Sequence, residues 1–222
     1  MCRAAVFLIL FSILSSAQAQ MAAQPDTDRL FLQAAKKHNL KTELLLSIAQ
    51  MESQLHPWAV NLNWEGFKPE TKHDALELIK AAQDKPWLLK LEYGKDDHHR
   101  LFFRSEKDAK DALKDVINNA KLLGIAAPKQ TEIRLLDTRS VDIGLMQINW
   151  KFHGRHFDSI EQLFEPETNV NYGAKYLRKL IWRHGNLEQA VAFYHSNTQH
   201  FQAKYLALFR PIYRKQLLLA KR

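Results

Sequence analysis

Helical spacing of apolar residues dominates this chain and predicts a mainly α fold of the α+β type, a helical core carrying a small β-containing insertion at about residues 62–138. Three observations lead there. Apolar side chains recur every three or four residues through most of the chain outside its middle. The strand-like runs gather in that middle region, at Trp87–Tyr93, Arg100–Arg104 and Glu132–Asp137. Finally, 222 residues with 46% hydrophobic and 10% aromatic content can bury one sizeable core, so residues 20–222 are expected to form a single domain.

Taken in order, residues 28–38 place Leu30, Phe31, Ala34 and Ala35 on one helical face. Residues 42–55 form a second helix, with Thr42 as its expected N-cap and Pro57 stopping it near His56. Thr71 to Asp74 and Ser105 to Asp108 resemble capping boxes that open two further helices. The second of these keeps Ala109, Ala112, Leu113, Val116, Ile117, Ala120 and Leu123 in helical register until Gly124 ends it. The first two strand candidates are expected to pair through the polar Gly94–His99 loop. Helices resume at about 167–184, 187–194 and 199–220, separated by Gly185-Asn186 and by His195 to Thr198. No internal repeat or low-complexity segment interrupts them.

The first 19 residues carry Arg3, an apolar run from Ala4 to Leu14, and Ala17-Gln18-Ala19. This pattern predicts a secretory leader cleaved near Ala19, too short in its apolar part to span a bilayer, and a mature chain that is exported without an integral membrane segment. Cys2, the only cysteine, would leave with the leader, which excludes disulfide and thiol chemistry in the mature chain. Losing Arg3 leaves 31 basic against 24 acidic side chains, a net charge of +7 that suits an anionic partner such as a cell-wall polymer or a membrane surface. Export and the lack of a basic motif argue against nucleic acid. The basic run from Arg210 to Arg222 reads as a solvated helix face rather than a binding tail.

Chemistry centres on residues 51–61, MESQLHPWAVN. Leu44, Ile48, Met51 and Leu55 form an apolar stripe, and Leu45, Ala49 and Glu52 form the adjoining row, so Glu52 sits at the edge of a buried face in the last turns of its helix. Apolar neighbours and the negative end of the helix dipole both disfavour a charged carboxylate there. A carboxylic acid that keeps its proton near neutral pH suits general acid cleavage of a glycosidic bond. The plainer alternative is a partly solvated helix-end residue.

Two further patches stand out. In residues 140–150, SVDIGLMQINW, Gly144 permits a sharp turn or a close ligand approach, and the amides of Gln147 and Asn149 can donate to and accept from sugar hydroxyls and acetamido groups. The same run also reads as a turn leading into a core helix. Tyr194 offers either a substrate contact or a satisfied core hydroxyl.

Together these pieces form an ordered set of four: Glu52-Ser53 followed by Pro57, Ala59 and Val60; Val141 to Asn149; Asn169, Gly173, Ala174, Tyr176 and Leu177; and Ala190 to Tyr194. In that order they resemble the lytic transglycosylases with a soluble-transglycosylase, goose-type-lysozyme-like catalytic domain, over about residues 28–61 and 139–200. The similarity is greatest to the members associated with conjugation and type IV secretion. One departure is plain: the family continues after its last tyrosine with Asn-Ala-Gly, where this chain reads His195-Ser196-Asn197.

The resemblance implies a lysozyme-like fold, a periplasmic location and a peptidoglycan glycan strand as substrate, with components of a secretion or conjugation machine as further partners. It implies that Glu52 alone protonates the bond between N-acetylmuramic acid and N-acetylglucosamine and then acts as base while the 6-hydroxyl closes an anhydro ring. Gln147 and Tyr194 would stand in the groove beside it, Met146 as an apolar wall, with Asn149 and Ser53 as further substrate contacts. No cofactor or metal is implied. Asp142 is the only rival second carboxylate, and its preferred reading is a turn or cap residue. The competing functions are a hydrolytic muramidase using the same glutamate, a non-catalytic wall-binding assembly module, and a metal hydrolase, for which His98-His99 and His153-x-x-His156 lack the acidic partner and spacing of a zinc motif.

Overall fold

A computed structural model describes residues 26–95 and 97–221; the expected leader lies outside the described residues. Helix α1 (Thr27–His38) starts where the Asp26 carboxylate accepts from the Arg29 N–H at 3.2 Å and ends at Asn39, which is left-handed at φ 50°. Helix α2 (Thr42–Glu52) buries Leu44, Leu45, Ile48 and Ala49. Thr42 is its first helical residue rather than its cap; extended Lys41 precedes it without a side-chain cap bond. The helix also stops at Glu52, short of His56. Ser53 turns inward, where its hydroxyl donates to the Leu145 carbonyl at 2.8 Å, and Gln54 and Leu55 take positive φ.

Strands β1 (Val60–Leu62) and β2 (Glu65–Phe67) follow as a tight hairpin. Helix α3 (Lys72–Asp84) opens with the expected capping box of Thr71 and Asp74. The expected strands appear as β3 (Trp87–Glu92) and β4 (His98–Phe103), paired antiparallel, with β5 (Gln130–Leu135) added to the other edge of β3. Between β4 and β5 lies α4 (Glu106–Leu123), capped by Ser105 and stopped by left-handed Gly124. Because β3 is central, both of its faces are covered: Leu88 joins the main core, while Leu89 and Leu91 pack with Ala109 under α4.

The chain then returns to the first sheet as β6 (Val141–Ile143) and β7 (Ile148–Asn149), giving the order β2-β1-β6-β7. Short helices α5 (Trp150–His153) and α6 (Ile160–Leu163) lead into α7 (Pro166–His184), α8 (Leu187–His195) and α9 (Gln199–Leu219). Helix α7 is central to the core, burying Val170, Ala174 and Leu177 and packing on α1 and α8, while α9 packs on α2 and α8. The basic run on α9 is in part paired, since Arg210 grips the Glu188 carboxylate of α8 through two nitrogens at 2.8 and 2.9 Å. The fold is therefore mainly α with small antiparallel sheets, as expected. Among the described residues no helix is long and apolar enough to cross a membrane.

Candidate active site

The end of α2, the first sheet and the α8–α9 turn enclose a cleft of about 740 Å³. Glu52, Gln147 and Tyr194, expected to share a groove, all line it. The side chain of Glu52 is 13% exposed, and its Oε1 is buried without a hydrogen-bond partner. A carboxyl group sheltered in this way keeps few of its water contacts, which suits a group that gives and takes a proton.

The sequence between α2 and β7 positions its partners. Gly144 at φ 76° makes the turn after β6, and its N–H donates to the Ala59 carbonyl at 2.8 Å. Gln147 follows with φ 44°, held there by its own amide nitrogen, which donates to the Gly144 and Ala59 carbonyls at 2.9 and 3.2 Å. With its N–H groups engaged, Gln147 has its amide oxygen left to accept from a substrate N–H. The Tyr194 hydroxyl donates to the Met146 carbonyl at 2.8 Å, so its proton is committed and a lone pair remains for a ligand. Burial and then the charge of Glu52 push the Tyr194 phenol up.

Of the three other expected substrate contacts, two are buried away from the cleft and one lines it. Met146 is fully buried beneath the cleft, against Gly173; the apolar wall is formed instead by Met51, Ile148 and Phe193. Ser53 is also buried, its hydroxyl spent on the Leu145 and Ala49 carbonyls at 2.8 and 3.1 Å, and it fastens the end of α2. Asn149 reaches the cleft, but its amide nitrogen donates to Asp142 at 2.7 Å and its oxygen caps α5, accepting from the Phe152 N–H at 3.4 Å.

Asp142 differs most from its expected turn or cap role. It lies in β6 opposite Asn61 and lines the same cleft as Glu52. Burial pushes its carboxyl up to about 6; the Asn149 N–H opposes this and the charge of Glu52 adds to it. Nothing in the local pattern revealed this strand, because three residues are too few to show a period.

His195 was also not expected at the site. It ends α8, stacks on Tyr205 at 4.2 Å between ring centroids, and brings Nδ1 to 3.6 Å from Glu52 Oε1. The buried Tyr205 hydroxyl also faces the glutamate: burial, then the charge of Glu52 and a hydrogen bond toward its carboxyl group, push the phenol up. The signal available in the sequence was the departure after Tyr194. His153, by contrast, is engaged with the Tyr172 hydroxyl at 2.9 Å, His98 and His99 lie on β4, and no group of three or more potential metal ligands gathers among the described residues.

Comparison with curated proteins and with solved structures gave no match. The family model of the transglycosylase SLT domain, however, matches residues 29–206, a span running from α1 into α9 that includes every element of the cleft. On that match the chain belongs to the transglycosylase SLT domain family, with the family's lysozyme-like fold and lytic transglycosylase activity on peptidoglycan.

Proposed function

We propose that Glu52 is the single acid and base with which this chain cleaves the bond between N-acetylmuramic acid and N-acetylglucosamine. The observation that carries this is the sheltered carboxyl group of Glu52, 13% exposed, at a cleft shared with Gln147 and Tyr194. The protonated carboxyl group gives its proton to the glycosidic oxygen as the bond to C1 of the muramic acid breaks. The substrate's acetamido oxygen closes on C1, a step favoured because the internal nucleophile is already held in place. Glu52, now ionised, takes the proton of the 6-hydroxyl as that oxygen attacks C1, the acetamido oxygen leaves, and the 1,6-anhydro product forms. The glutamate ends as it began.

Glu52→Gln should lower peptidoglycan release by about 10²-fold or more while leaving the circular dichroism spectrum unchanged. Zymography followed by mass analysis of the products tests both the residue and the reaction. Full release by the variant would remove Glu52 from the acid-base role, and a wild-type protein that releases nothing would return the chain to a wall-binding module. Products one water heavier would support a second reading, a hydrolytic muramidase, which is favoured by one observation: the second carboxylate, Asp142, on the same cleft. Export to the periplasm, and local opening of the wall for a secretion or conjugation apparatus, rest on the leader-like residues 1–19 and on the motif resemblance. Microscopy of a tagged full-length chain, with transfer efficiency measured in a deletion strain, tests them.

A further inference from the structure

The two-residue loop joining β1 to β2 consists of Asn63 at φ 50° and Trp64 at φ 76°, with Leu62 opposite Glu65. Positive φ at both central residues is the hairpin turn that favours Asn followed by Gly. Here a tryptophan occupies the glycine position. A bulky residue in the left-handed region is strained, and such strain persists only where the surroundings enforce it. They do so here. The Trp64 N–H donates to Asn61 Oδ1 at 2.9 Å, the Asn63 N–H to the Ser140 carbonyl at 3.0 Å, Arg134 of β5 to the Asn63 carbonyl at 2.9 Å, and the Asp137 N–H to Asn63 Oδ1 at 3.2 Å.

This restraint does not bury Trp64, which is 77% exposed. Trp64 lines the mouth of the Glu52 cleft and meets the ring of Phe201, from α9, at 6.0 Å and 38°. Among the residues lining the same cleft are Asn61, Asn197 and Thr198, whose side chains carry hydroxyl or amide groups. An exposed aromatic face beside such groups is the chemistry that receives a pyranose ring, whose C–H face is apolar and whose edge carries hydroxyls. We infer that Trp64, with Phe201 beside it, is a stacking platform for a hexosamine ring of the glycan strand, and that one task of the β3–β5 segment is to hold this tryptophan in its strained turn. The inference rests on the peptidoglycan reading of the cleft.

The test uses the Glu52→Gln protein, which holds the wall without digesting it, in sedimentation with purified insoluble peptidoglycan and in calorimetric titration with a long N-acetylglucosamine oligomer. Adding Trp64→Gly should weaken both by about tenfold. Adding Trp64→Phe, which keeps a ring, should restore most of the binding. The thermal midpoint of the Trp64→Gly protein should be equal to or above that of its parent, because glycine suits φ 76°. Unchanged binding overturns the platform alone, as does a lowered midpoint, which would make Trp64 a structural residue. If the Glu52→Gln parent binds neither probe, the peptidoglycan reading falls and the platform with it.

Discussion

Glu52 occupies a cleft in which it is electrostatically linked to four groups: His195 at 3.6 Å, and Tyr194, Tyr205 and Asp142 through their response to its charge. Of these, Asp142 makes the sharpest thermodynamic statement. Its carboxyl is raised from an ordinary 3.8 to about 6, chiefly by burial, so the folded chain binds this proton more tightly than the unfolded chain does. The resulting stabilisation is fully present below about pH 4 and is lost as pH rises through 6; at pH 7 the ionised side chain costs about 3 kcal/mol at most. Asp142→Asn removes that cost and can still accept the Asn149 N–H through its amide oxygen. The variant should therefore melt several degrees higher than wild type at pH 7, with the difference shrinking to nothing by pH 4, as calorimetry across that range will read. If the anhydro-forming reaction is the one performed, the same protein keeps most of its cleavage activity. Loss of activity in a stabilised protein would make Asp142 a working carboxylate of hydrolysis.

Among the elements, the contact between α7 and the β6–β7 turn fixes the geometry of the cleft. Asn169, buried in α7, donates to the Ile143 and Leu163 carbonyls at 2.8 and 3.0 Å and accepts from the Met146 N–H at 2.8 Å. One turn later Gly173 lets α7 lie against Met146, because a Cβ there would stand 2.8 Å from the Met146 Cβ and 2.9 Å from its Cγ. Helix propensity alone says that Gly173→Ala should gain about 1 kcal/mol. The clash is with the root of the methionine rather than its flexible end, so overpacking of about 1–3 kcal/mol should win, and the denaturant midpoint should fall. Since the Met146 carbonyl holds Tyr194 and Gln147 comes next in the chain, cleavage should fall further than stability. The same contrast governs what the sequence disclosed. Long helices with caps at Thr71 and Ser105 and left-handed stops at Gly124 and Gly185 were legible, as were β3, β4 and β5, because each carries its own pattern. The first sheet was not. Its strands have two or three residues, and Asn61 finds its partner Asp142 across 81 positions of chain, a pairing set by tertiary packing alone. The end of α2 was misread for a similar reason: Pro57 is a local signal, whereas the bond from Ser53 to Leu145 spans 92 residues. Glu52, Gln147 and Tyr194 were legible as a set that lines one cleft, joined there by Asn149, while Ser53 and Met146 lie buried beneath them.

The molecule as a whole joins two packed units across a seam that holds a buried carboxylate. Strands β3–β5 and α4 have a small core of their own around Leu89, Leu91 and Ala109, and they meet the helical body through Leu88, through Phe102 against Phe67, and through Glu65 of β2. Glu65 is 5% exposed and surrounded by cations from every strand of the second sheet: Arg100 of β4 in direct contact, Lys90 of β3 at 3.7 Å and Arg134 of β5 at 3.6 Å. Arg134 is the same side chain that donates to the Asn63 carbonyl, so this node leads from the second sheet to the strained turn at the mouth of the cleft. Replacing a buried carboxylate by an amide leaves its partners uncompensated, which costs about 3–5 kcal/mol when a buried pair is broken. Glu65→Gln should therefore loosen the second sheet before the helical body. In native-state hydrogen exchange, amides of β3 and β5 should lose protection while those of α2 and α7 retain theirs. Peptidoglycan binding should weaken in step, since Trp64 would no longer be held at φ 76° by an anchored Arg134. Uniform loss of protection across both units would show instead that they unfold as one, and that the carboxylate stabilises the fold without separately governing the turn.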